Sequence, residues 1–207
     1  MDGSNDTPLI ALLIDSDPER AKIVEAGLRG AAITKLASSD RDNLLAYIAN
    51  LQPDVIIMDC DSPDRDTIEN LRIVARENPK PIVMFVEDGD GGLAKEAVRA
   101  GVSAYIVDGL SSSRILPVIE VAIERFKMFE GLQKELEKSK EDLESRKIIE
   151  RAKGILMDKR DMSESDAFAA MRSLAMKESI TIRKVAENIL SVFSLLGDKA
   201  ADEIIRG

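Results

Sequence analysis

The chain opens with short apolar runs that alternate with amphipathic stretches. LIALLI (Leu9 to Ile14), AITKLA, PDVIIMD (Pro53 to Asp59), PIVMFV (Pro81 to Val86) and SAYIV (Ser103 to Val107) are apolar runs of strand length. Between them, apolar residues recur at helical spacing from Pro18 to about Leu28, Arg41 to Asn50, Asp64 to Glu77 and Leu93 to Ala100. Strands that read as unbroken apolar runs are buried on both faces. The pattern therefore predicts an α/β fold: a doubly wound, parallel five-stranded sheet with helices on either side. Local punctuation agrees, with Asp17 as N-cap and Pro18 in the first turn of the first helix, and Gly30 just past its end.

After the fifth run the character changes. From about Ser113 to Met157 there is no Gly-Pro break and no loop chemistry, so one long helix is predicted, with Pro117 near its first turn. Gly131 is its weak interior residue, costing about 1 kcal/mol relative to Ala. Phe129, Leu132, Leu136 and Leu143 fall at a, d, a, a spacing, with Ser139 and Arg146 in the intervening d positions. This is a short, imperfect coiled-coil seam. It fits either a solvated linker helix or a surface on which a second copy or a partner docks.

Three helices close the chain. Ile148, Ala152, Ile155 and Leu156 form an inward stripe, and Gly154 leaves room for a neighbouring helix. Ser163 starts the next helix with Asp166 three residues on, a capping-box-like opening ahead of the stripe Ala167, Met171, Leu174 and Ala175. Thr181 caps the last helix, which turns Ile182, Val185, Ile189 and Val192 inward. The tail GDKAADEIIRG reads as a short polar end.

Composition removes several chemistries. At 207 residues and 44% apolar content the chain can fill two modest cores. It has no histidine and a single cysteine, Cys60. That excludes a Ser/His/Asp triad, a His-based metal site, an intrachain disulfide and a CxxC zinc site. The start MDGSNDTP is unlike a signal peptide, and no apolar run approaches the ~20 residues of a membrane span, so a soluble cytoplasmic protein without membrane attachment is expected.

Charge is unevenly placed. Arg146 to Lys184 holds ten basic and six acidic residues, a net +4, in a chain of net −9, so the remainder carries −13. A basic patch on an acidic protein marks a place for an anionic partner. Lys153, Arg172 and Lys177, with Arg151, Arg183 and Lys184 behind them, are the side chains left for solvent or phosphate. No helix-turn-helix spacing for major-groove entry is present, and aromatic content of 3% argues against single-strand stacking platforms. A folded RNA hairpin gripped through its backbone, with a few loop bases read, fits better.

At the other end, Asp15, Asp17, Asp59 and Asp61 fall at strand ends, where a parallel sheet places its working edge. Asp15 and Asp59 either cap strand-to-helix turns or, with the others, form a rim that needs a divalent cation such as Mg²⁺ beside a carboxylate nucleophile. Asp59 is the only nucleophile candidate, which points away from an enzyme.

IERAKGILM (Ile149 to Met157), SESDAFAAMRSLAM (Ser163 to Met176) and IRKVAENIL resemble the ANTAR module, a three-helix RNA-binding output domain of bacterial antitermination regulators. The region from Leu9 to Phe126 resembles a response-regulator receiver. This implies a receiver-like unit over 1–118, a connecting coiled-coil helix over 119–145 and an ANTAR module over 146–207. Asp59 matches the phosphoacceptor, and Asp15 the first residue of the acidic pair. Three positions depart from the receiver pattern: Ser16 replaces the second acid, Val86 the Ser or Thr that meets the phosphoryl group, and Asp108 the characteristic lysine. A carboxylate in place of that lysine adds repulsion where a phosphoryl group would sit, so Asp59 is not expected to be the main switch.

DSDPERA, PDVIIMDCDSPDRDTIENL, PIVMFVED and AGVSAYIVDGL are similar to the nitrate-assimilation antitermination regulators of the NasT family. That resemblance implies restraint by a NasS-like nitrate-sensing protein, and a homodimer when RNA is bound. A DNA-binding response regulator switched by phosphorylation and a protein-interaction adaptor are the competing readings.

Overall fold

The computed structural model describes residues 8–14, 17–37, 44–61, 63–87, 89, 91–107 and 111–206, with only the backbone of Leu36 and of residues 195–206. The expectations that fell on Asp15, Ser16 and Asp108, and on the first residues of the helix read from Arg41, lie outside the described residues. Two compact units divide the chain, Met1–Gly131 and Leu132–Gly207.

The first unit is a parallel sheet of β1 (Leu9–Ile14), β2 (Ala32–Ala37), β3 (Val55–Cys60), β4 (Ile82–Val86) and β5 (Ala104–Val107) in the order β2-β1-β3-β4-β5. Helices α1 (Pro18–Leu28), α2 (Leu44–Leu51), α3 (Arg65–Glu77) and α4 (Gly91–Ala100) alternate with the strands. Successive side chains on a strand point to opposite faces, and both faces of β1, β3 and β4 are covered, which explains their unbroken apolar runs. Ala11, Leu13, Val55, Ile57, Val83 and Phe85 face α1 and the start of α5, meeting Val24, Leu28, Ile115 and Ile119. Their neighbours Leu12, Ile14, Ile56, Met58, Ile82 and Met84 face the other way, against α2, α3 and α4 through Ile48, Leu71, Val74 and Ala97.

Helix ends follow the sequence chemistry. The Asp17 carboxylate accepts the Glu19 N–H at 2.8 Å, and that of Asp64 accepts the Thr67 N–H at 2.7 Å. Gly27 is where α1 meets the chain entering α5. A Cβ there would lie 2.6 Å from the Ser112 carbonyl oxygen and 3.0 Å from the Ile115 Cβ.

Helix α5 runs unbroken from Ser112 to Arg160, 49 residues. It begins within one residue of the expected start, and Pro117 lies inside the helix just past its first turn. Residues 131–144 are exposed on every side. Helices α6 (Glu164–Glu178) and α7 (Ile182–Arg206) follow, and the backbone of the tail expected to be a short polar end continues α7. Among the described residues no helix is long and apolar enough to cross a membrane.

Candidate nucleic-acid interface and acidic rim

In the second unit the core is made largely of small side chains: Ala152 and Leu156 of α5, Ala167, Met171 and Ala175 of α6, and Val185 and Ala186 of α7. Alanines let helices approach closely, and the larger side chains are then placed around a narrow seam. The Ser163 hydroxyl accepts the Asp166 N–H at 3.1 Å and donates to the Asp166 carboxylate at 2.6 Å, so α6 starts where its capping box predicts. The helix ends on Ser179 in the left-handed region (φ 56°), with the Ile180 N–H returning to the Ala175 carbonyl at 3.0 Å. Thr181 Oγ1 accepts the Lys184 N–H at 3.2 Å at the head of α7.

Two packing expectations are corrected. Leu174 is 38% exposed, because the buried stripe of α6 is only as wide as the run Ala167, Met171, Ala175. Gly154 faces open space rather than a neighbouring helix.

The six cations expected on the surface divide into three groups. Arg151, Arg172 and Lys177 are exposed, and none takes part in an ion pair among the described residues. Arg183 and Lys184 share Glu187, at 3.0 and 3.6 Å, and remain partly accessible. Hydrogen bonding from Arg183, with both charges beside it, holds the Glu187 carboxyl below its usual range.

Lys153 differs from all of these. Its side chain is only 9% exposed, with the ammonium 2.7 Å from Glu150 and 2.8 Å from Glu164. The lysine expected to project towards solvent is instead a clamp between α5 and α6. Its hydrogen bonds to Glu150 and Glu164 raise its pKa, and the bond it donates lowers that of Glu164. Beside the clamp is a groove of about 650 Å³ lined by Ser163, Glu164, Ser165 and Phe168. Phe168 and Met176 are 40% and 73% exposed and flank Arg172 at i−4 and i+4 on α6.

In the first unit the carboxyl ends of the strands do gather acidic residues, but around a cation the strand-end pattern did not reveal. Arg20, in the first turn of α1, lies 14% exposed among four carboxylates. Its Nε is 3.2 Å from Asp59 Oδ2 and 3.8 Å from Asp17 Oδ2. One terminal nitrogen, Nη1, is 3.3 Å from Glu87 Oε1 and in contact with Asp61 Oδ1. The Asp59 side chain is 2% exposed, whereas Asp61 and Glu87 are largely open, at 79% and 67%. Arg20 and Glu87 were missed because they are 67 positions apart. The available signal was charge balance, since acids converging on one rim require a cation from somewhere.

A hard dication takes about six oxygen ligands. Here a guanidinium already contacts the carboxylates that would supply them, and its charge opposes a second cation. Among the described residues no three acidic, His or Cys side chains are arranged to hold a metal. Val86 brings a buried methyl pair, not a hydroxyl, to the end of β4 beside Cys60. Among the described residues the rim is held by this guanidinium; Asp15, the other acid expected there, lies outside them.

The strand order, the strand-end aspartate and the helical module together define a two-part regulator. The chain belongs to the response-regulator family and carries a second, ANTAR domain. The response regulator receiver domain matches residues 11–120 and the ANTAR domain residues 137–190. The chain is 39% identical over 139 residues to the transcriptional regulatory protein PdtaR of Mycobacterium tuberculosis, covering 67% of this chain and 68% of that one. Similarity of fold extends to NtrX from Brucella abortus (TM-score 0.52, 23% identity, 62% of this chain and 29% of that one). It extends also to the receiver domain of a LuxO repressor protein from Vibrio parahaemolyticus (TM-score 0.51, 16% identity, 61% of this chain and 98% of that one).

Proposed function

We propose that the chain is an RNA-binding transcription antiterminator: its ANTAR module grips a hairpin in a leader transcript, and a terminator then fails to form. The observation that carries this reading is the set of exposed cations Arg151, Arg172 and Lys177, without ion pairs among the described residues, on a three-helix frame within an acidic chain. Arg183 and Lys184 add to the patch by exchanging Glu187 for phosphate. Lys153 holds the frame. Phosphate contacts supply most of the affinity and position the module; Phe168 and Met176 flank Arg172 where an unpaired loop base can lie.

The exposed seam of α5 supports a homodimer on RNA. Phe129, Leu132, Leu136 and Leu143 are 55–63% exposed in a stretch with no cover of its own. Two such seams bury each other in a coiled coil. At rest a NasS-like nitrate sensor covers this seam, and its release frees the module for nitrate-assimilation transcripts. The nitrate element rests on the sequence resemblance described above. A partner swings such an equilibrium almost completely only with about 5.5 kcal/mol of preference for one state.

Phosphorylation of Asp59 is not the switch in this scheme. Incubation with a small phosphodonor and Mg²⁺ is expected to leave RNA affinity unchanged; stoichiometric labelling of Asp59 that raises RNA affinity overturns that step. The reading as a whole is tested by competing a leader stem-loop RNA against duplex DNA for the full chain. Preference for the RNA, lost in Arg172→Ala/Lys177→Ala, supports it; preference for duplex DNA points to an ordinary response regulator. RNA control that survives the double substitution points to an adaptor.

A further inference from the structure

We infer that the exposed seam of α5 takes a second copy of this chain in parallel and in register, an alignment chosen by Glu135, Lys140, Asp142 and Lys147. This rests on the reading of that seam as a homodimer surface, and adds the direction and register in which the two copies lie. It is independent of whether the output module binds RNA.

With Leu136 and Leu143 at a and Leu132 at d, Glu135 and Asp142 fall at g, and Lys140 and Lys147 at e. Each acid precedes its lysine by five positions. Residues five apart do not face each other on one helix, but across a parallel two-stranded coil a g residue meets the e residue of the following heptad. Glu135 then meets Lys140 of the second copy, and Asp142 meets its Lys147, with each pair made twice by symmetry. All four side chains are exposed. Glu135, Lys140 and Asp142 take part in no ion pair among the described residues, and Lys147 has only the exposed Glu144 at 3.6 Å, a weak contact readily exchanged. An antiparallel coil sets e against e and g against g, so lysine meets lysine and acid meets acid. A parallel slip of one heptad opposes Leu132 to Ser139 and loses a leucine layer. In register, Leu132, Leu136 and Leu143, each 55–63% exposed, close on their own counterparts.

The test uses the full chain without RNA, in a Cys60→Ala background, carrying either Leu132→Cys or Ser139→Cys. Cys60→Ser serves if Cys60→Ala does not fold. A parallel, in-register pair brings the introduced thiol against its counterpart at both positions; an antiparallel pair can do so at one of them at most. Both variants are expected to form disulfide-linked dimers in a glutathione redox couple. Adding Glu135→Lys/Asp142→Lys, or Lys140→Glu/Lys147→Glu, to Ser139→Cys should lower the dimer yield about tenfold, and mixing the two reversed chains should restore it. A dimer that cross-links at one position only, or whose yield is indifferent to both reversals, overturns the inference and leaves the homodimer reading standing. If neither position cross-links and light scattering finds only monomers, the homodimer reading falls with it, and the seam belongs to a different protein.

Discussion

If the proposed RNA contact holds, the salt dependence of binding follows from the cations the module leaves in water. Five are available to phosphate: Arg151, Arg172, Lys177, Arg183 and Lys184. Each neutralised phosphate contributes about −0.7 to −0.9 to the slope of log affinity against log salt, so full engagement gives one module a slope of about −3.5 to −4.5. Raising salt from about 50 to about 200 mM then weakens binding roughly 100- to 500-fold. Arg172→Ala/Lys177→Ala removes two of the five contacts. The slope should flatten by about 1.4 to 1.8, and affinity at about 100 mM salt should fall roughly 25- to 60-fold. Lys153→Met should leave the slope where it was, because its ammonium is already committed to Glu150 and Glu164. Fluorescence anisotropy of a labelled leader stem-loop, titrated at four or more salt concentrations, reads all three chains. If the double variant keeps the wild-type slope, or Lys153→Met flattens it as much, the assignment of phosphate contacts is wrong.

Other consequences can be checked separately. Met171 is 1% exposed at the centre of the small-residue core, so Met171→Ala should cost the output module about 2–5 kcal/mol, seen as a lower urea midpoint by circular dichroism. The Lys153–Glu164 pair should make the module's stability flat across neutral pH. The contribution of Lys153, whose pKa is raised, is complete below 10.5 and lost as pH rises beyond it. That of Glu164, whose pKa is lowered, is complete above 4.5 and lost as pH falls below it. Thermal melts of Glu164→Gln should therefore show a shallower acid limb, and those of Lys153→Met a shallower alkaline limb. Leu136→Lys should leave the fold intact by circular dichroism but hold the chain monomeric on RNA by light scattering. Gly27→Val should lower the melting temperature of the first unit, because its side chain meets Ser112 and Ile115 where α1 and α5 touch.

The elements that were legible in the sequence are those set by local pattern. Apolar runs placed all five strands to within a residue or two, and the Asp17, Ser163 and Thr181 caps sit where their hydroxyl or carboxylate chemistry puts them. What was not legible depends on which elements cross. Arg20 finds Asp61 and Glu87 across 41 and 67 positions, a pairing decided by the β1-β3-β4 order rather than by spacing. Lys153 read as one more surface cation until α6 delivered Glu164 beside it, 11 positions on. Leu174 has the right helical phase for burial but lies beside a core of alanines too narrow to cover it.

The central claim is that this chain holds folded RNA through its basic helical module. Crosslinking the full chain in its host and sequencing the bound RNA and DNA in parallel tests it most directly. Enrichment of leader-transcript stem-loops that lie ahead of terminators, abolished in Arg172→Ala/Lys177→Ala, is the predicted result. Recovery of duplex promoter DNA, or of no nucleic acid above background, would contradict it.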